Sequence, residues 1–80
     1  MKIENIENVL KENNIKYEFK KDQHFNIYTL KYMKTFNINN IKMDLRQLEY
    51  SRKMDQLRIT GKYRSYGSVY LKDLKVFEKI

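Results

Sequence analysis

The chain has 80 residues and carries 17 Lys and Arg against 10 Asp and Glu, a net charge of +7 at pH 7. That length allows one hydrophobic core, so a single domain over residues 1–80 is expected. There is no cysteine, which excludes disulfides and thiolate metal sites, and the one histidine, His24, excludes a His-rich metal cage; no cofactor is expected.

Ile3, Ile6, Val9 and Leu10 recur at helical spacing and predict an amphipathic helix over residues 3–13. Asn13-Asn14 ends it, because Asn tolerates a left-handed cap. Ile15, Tyr17 and Phe19 then alternate with lysines and a glutamate, the period of a half-buried strand. Lys21-Asp22-Gln23 is a predicted turn. His24 to Met33 reads as a second strand with apolar residues on both faces, hence central and covered twice. KTFNINN, residues 34–40, reads as a polar connection anchored by Phe36.

Ile41, Met43 and Leu45 alternate with charged residues and predict a strand to about Ser51, with a parity slip near Gln47 that a bulge would explain. Arg52 to Gln56 is a polar turn. Leu57, Ile59, Gly61 and Tyr63 alternate with Arg58, Thr60, Lys62 and Arg64, which puts Tyr63 on the core side and the cations outside. Ser65-Tyr66-Gly67 is the next predicted turn, and Val69 to Phe77 the last strand. Gly61 in mid-strand signals a bulge or a close backbone approach. The expected fold is α+β: an N-terminal helix on a mainly antiparallel sheet of four or five strands. Its core draws on Ile3, Ile6, Val9, Leu10, Tyr17, Phe19, Ile27, Leu30, Met43, Leu45, Leu57, Ile59, Leu74 and Val76.

Residues 57–78, LRITGKYRSYGSVYLKDLKVFE, resemble the closing hairpin of an OB-fold barrel, which would imply a partly open small barrel. The resemblance covers about a quarter of the chain. The element order departs from that fold, because the helix comes first, and no family follows from it.

The opening MKIENIENVL holds two acids and no apolar run, unlike a signal peptide. The longest apolar run, Val69-Tyr70-Leu71, is far below the roughly 20 residues of a spanning helix. A cytoplasmic protein without membrane contact is expected. A chain this small without staples often associates, and the exposed edge of the last strand offers a route to a homodimer.

Lys, Asn, Ile and Tyr supply 36 of the 80 residues and share A/T-rich codons, so lysine number alone does not mark a polyanion binder. Distribution says more: residues 1–40 carry a net +2, residues 41–80 a net +5, and all four arginines lie in the second half. Arginine suits bidentate phosphate contacts and stacking on bases. The stretch GKYRSYGSVY, residues 61–70, adds three tyrosines to these cations. Cations for phosphate and rings for stacking are the combination used by single-strand binders. The expected function is therefore a small nucleic-acid-binding module, single strands slightly preferred. Its contacts would come from Arg46, Arg52, Arg58, Lys62, Tyr63, Arg64, Tyr66 and Tyr70. The alternative is a protein-interaction module. An inhibitor from a phage or mobile element, docking on an acidic host surface such as a defence nuclease, would fit, since Tyr and Arg also dominate protein interfaces.

Catalysis is not expected. Glu18-Phe19-Lys20 and Asp73-Leu74-Lys75 have the acid-x-Lys spacing of some metal-dependent nucleases, but this composition yields about two such matches by chance. His24 sits in a polar turn, and two glycines cannot make a phosphate-cradling loop.

Overall fold

The computed structural model describes residues 5–80. One short helix, α1 (Ile6–Glu12), precedes six strands: β1 (Tyr17–Lys21), β2 (Phe25–Ile38), β3 (Ile41–Ser51), β4 (Gln56–Gly61), β5 (Ser65–Tyr70) and β6 (Phe77–Lys79). The strands pair antiparallel in the order β1-β2-β3-β4-β5, with β6 on β2, and the sheet does not close into a barrel. The strand count exceeds the four or five expected. No helix among the described residues is long and apolar enough to cross a membrane.

Both ends of α1 follow from asparagines. Asn5 is extended, and its side chain accepts the Glu7 N–H at 2.8 Å, so α1 begins at Ile6; residues 3 and 4 of the expected helix lie outside the described residues. The expected core residue Ile3 lies outside the described residues. At the other end Asn14 adopts φ 59°, the Ile15 N–H reaches the Leu10 carbonyl at 2.9 Å, and the Asn14 N–H reaches Lys11 at 3.1 Å. This is a Schellman cap, with Leu10 and Ile15 both buried beneath it.

The second strand is longer than its pattern suggested. KTFNINN is not a connection: β2 runs to Ile38, and Asn39-Asn40, at φ 49° and 68°, form the two-residue turn into β3. Thr35 and Asn37 are ladder residues on the outer face, while Phe36 and Ile38 are buried. Along its outer edge β2 is shared, because β1 covers Asn26 to Leu30 and β6 covers Phe36 to Ile38. Asn39 ties in the approach to β6: its Oδ1 accepts from Lys75 and Val76, and its Nδ2 donates to the Asp73 carbonyl.

The final strand also departs from expectation. Val69–Phe77 is split into β5, a 3-10 turn at Leu71–Asp73, and β6. Ser65-Tyr66-Gly67 belongs to β5, and the hairpin turns at residues 62–64 instead. The positive φ of Gly67, 87°, is used in a bulge where β5 slips against Ile59 and Thr60.

Buried residues form one cluster: Ile6, Val9 and Leu10 of α1 meet Tyr28, Leu30, Phe36, Ile38, Met43, Leu45, Leu48, Leu57, Ile59, Leu74 and Phe77, with Ile15. Tyr17, Ile27 and Val76 are half-buried, and Phe19 is 50% exposed, so these are not the core residues expected. Phe19 sits on the edge strand β1, its ring 5.2 Å from that of the core residue Tyr28 between centroids. Nor is β2 covered twice: Phe25, Ile27 and Thr29 are half-buried, and Tyr32 is 67% exposed.

Candidate nucleic-acid interface

The site begins with two interrupted ladders. Between β2 and β3 the register passes from Thr29↔Gln47 to Lys34↔Leu45, so residues 30–33 oppose Arg46 alone. Between β3 and β4 it passes from Gln47↔Thr60 to Leu45↔Gly61, which leaves Arg46 unpaired there too. A residue bulged in both ladders is turned away from the core, and Arg46 is exposed while Leu45 and Leu48 are buried. The bulges open a groove of about 440 Å³ lined by Thr29, Leu30, Lys31, Met33, Arg46 and Lys62. Three cations and no carboxylate face it. Among the described residues, none of these cations lies within ion-pair distance of an acid.

The β4–β5 tip rises beside this groove. The Gly61 N–H closes the turn on the Arg64 carbonyl at 2.8 Å. Tyr63 stands 84% exposed at the apex, and the Lys62 ammonium is 5.0 Å from its ring centroid. Tyr63 therefore does not face the core; the ladder has already ended at Gly61, so strand alternation no longer dictates its direction.

Asp44 fixes the base of the tip. The Tyr66 hydroxyl donates to its carboxylate, the Lys62 N–H donates to Oδ2 at 3.3 Å, and the Asp44 N–H donates to the Tyr66 oxygen at 3.3 Å. The Tyr66 hydroxyl, then these backbone N–H groups and the nearby Arg64 charge, hold the Asp44 carboxyl below the usual range against a smaller opposing effect of burial. The arrangement needs Gly61. A Cβ there would lie 2.6 Å from Asp44 Oδ1 and Tyr66 Cε2, and 2.7 Å from the Asp44 carbonyl oxygen. The close backbone approach expected from a mid-strand glycine is present.

The expected contact residues divide by position. Arg46 and Lys62 share the groove, and Tyr63 and Arg64 adjoin it at the tip. Arg58 is exposed on the same sheet face, in register with Glu49 and Ser68. Arg64 lies over the Tyr66 ring, 5.0 Å from its centroid, and Tyr66 is half-buried with its hydroxyl engaged. Tyr66 is thus a support for the tip rather than a free ring. Tyr70, 43% exposed, is at the far end of β5 beside Lys72.

Arg52 is also remote. From Gln47 to Ser51 is four residues of strand, roughly 13 Å. Its guanidinium is committed to the β1–β2 turn, donating to Asn26 Oδ1 at 2.7 Å and to the Asp22 and Gln23 carbonyls at 2.6 Å each.

Lys31 and Met33 were not expected at the site. They come from the first half of the chain, and the β2 bulge brings them there. A trace of it is visible in Leu30-Lys31-Tyr32-Met33-Lys34, where strict alternation fails. His24 is exposed in the β1–β2 turn, with its backbone N–H bonded to the Asp22 carboxylate at 2.9 Å. Among the described residues no three His, Asp or Glu side chains are placed to hold a metal.

Compared with family models, curated proteins and solved structures, the chain has no significant match to any of them.

Proposed function

We propose that the protein is a nucleic-acid-binding module that holds a single strand along the outer sheet face, with binding rather than catalysis as its role. The observation that carries this reading is the gathering of Lys31, Arg46 and Lys62 in one carboxylate-free groove beside the exposed ring of Tyr63. Cations spaced along a groove track a phosphate backbone, and an exposed ring stacks a base without regard to sequence. Arg58 and Arg64 extend the positive surface on either side. Arg52, Tyr66 and Tyr70 drop out of the contact set, the first two because their polar groups already have partners.

The test is a panel of single-stranded and duplex DNA and RNA, bound at several salt concentrations. Parent affinity should fall steeply with salt. Replacing Lys31, Arg46 and Lys62 with Ala should flatten the logarithmic salt slope by about 2, from about 0.7 per phosphate contact on a single strand. Tyr63→Ala should weaken single strands more than duplex. Equal binding by parent and triple variant at every salt concentration would refute the proposal and leave the basic face to an acidic protein partner.

A further inference from the structure

The opposite side of the β2 bulge carries a second basic groove. Beyond the bond from the Lys31 N–H to the Lys16 carbonyl, 3.0 Å, β1 no longer covers β2, and β6 pairs with β2 only from Phe36 onward. The gap holds a groove of about 190 Å³ lined by Asn14, Ile15, Lys16, Tyr32, Lys34 and Lys79. Three lysines and no carboxylate line it, and among the described residues none of the three is ion-paired. Lys34 is half-buried, because its register partner is the fully buried Leu45 and its side chain shares the core-side face. Lysine ammonium groups donate charge-assisted hydrogen bonds to phosphate oxygens, and no carboxylate in the lining competes for them. Tyr32, 67% exposed, stands at the same groove.

We propose that this groove is a phosphate subsite for a nucleotide, with Lys16, Lys34 and Lys79 around the phosphate and the base stacked on Tyr32. Rested on the reading above, the nucleotide is one unit of the strand, which passes from the outer groove around the bulge to this one. Neither Lys16, Tyr32, Lys34 nor Lys79 lines the outer groove, so the inference adds a second set of contacts to the binding path. The groove is too small for a duplex, and this favours a strand end or an unpaired unit.

Nuclear magnetic resonance separates the two ideas. The ¹⁵N-labelled protein is titrated with inorganic phosphate, with thymidine monophosphate and with a short oligothymidylate. The nucleotide should shift the amides of Lys16, Tyr32, Lys34 and Lys79 in the parent and equally in the Lys31, Arg46, Lys62 triple variant. Tyr32→Ala, at an exposed position, should weaken nucleotide binding roughly five- to a hundredfold and leave phosphate binding alone. The Lys16→Ala, Lys79→Ala double variant should weaken both; it spares the half-buried Lys34, and its unchanged spectrum elsewhere reports that it folds. A nucleotide response here without oligonucleotide binding supports the subsite and sinks the strand reading. Oligonucleotide binding with no response at these four amides overturns the subsite. So does a response shared equally by all surface lysines, or a Tyr32→Ala variant that binds nucleotide as the parent does.

Discussion

Gly61→Ala tests whether the hairpin tip is aimed by contact with β3. The added Cβ would meet three atoms at 2.6–2.7 Å. Ordinary carbon contacts begin near ~3.5 Å, so something must yield by most of an ångström. The Asp44 carboxylate and the Tyr66 ring can rotate away, but only by giving up the bond between them. The Asp44 carbonyl cannot rotate, because it belongs to the β3 backbone, so β3 and β4 must part locally at the Leu45↔Gly61 pair. Overpacking of this kind costs about 1–3 kcal/mol. Replacing Gly by Ala also narrows the unfolded ensemble, which returns about 0.4–1 kcal/mol. The net is a destabilisation of about 1.5 kcal/mol, or a fall in Tm of roughly 6–12 °C for a domain of this size. Circular dichroism melts and urea titrations measure it directly. Adding Tyr66→Ala removes one of the three contacts, so the double variant should lose less than the two single variants combined. A Gly61→Ala variant that melts within about 2 °C of the parent, or a strictly additive double variant, would refute the reasoning.

Two further predictions separate support from contact. Arg52→Ala should cost roughly 1–3 kcal/mol in urea unfolding, through the bonds to Asn26, Asp22 and Gln23, while the folded protein keeps its oligonucleotide affinity; Arg46→Ala should do the reverse, and an exchange of these phenotypes would contradict both assignments. The tip should also respond to acid. Asp44 has a folded pKa depressed below its unfolded value of about 3.9, so its contribution is present above that value and is lost as pH falls through the folded pKa. Protection of the Lys62 amide should therefore fade below about pH 4 in the parent and show no such step in Asp44→Asn; identical acid profiles would rule out the pin.

What the sequence revealed, and what it withheld, follows the range of the interactions involved. Asn14 as a left-handed cap, the alternation of Leu57 and Ile59, and the parity slip expected near Gln47 are local; the first two are found where the pattern puts them, and the slip falls between Leu45 and Gln47. Gly67 misled because a glycine in a hairpin suggests the turn, whereas its positive φ serves a bulge and the turn is made by Lys62, Tyr63 and Arg64. Residues 34–40 looked too polar for a strand, because their partners, β3 and the short β6, are chosen by tertiary pairing that no local pattern displays.

The same distinction explains why half of the candidate surface was hidden. Charge counting by segment located the arginine-rich half, and Arg46 and Lys62 do share a groove. It could not find Lys31, whose approach to them depends on four residues of β2 facing one of β3. Nor could it remove Arg52, whose charge looks as available in the sequence as that of Arg46. Only the carbonyls of the β1–β2 turn, about thirty positions away in the chain, show that its guanidinium is occupied. In a sheet, a cation becomes available for a ligand where the ladder fails. Arg46 is bulged from both neighbours, Lys62 follows the end of β4, Lys31 lies within the break in β2, and Lys34 is the first residue paired beyond it. The interrupted ladders, rather than the basic composition, are what gather these charges around two grooves.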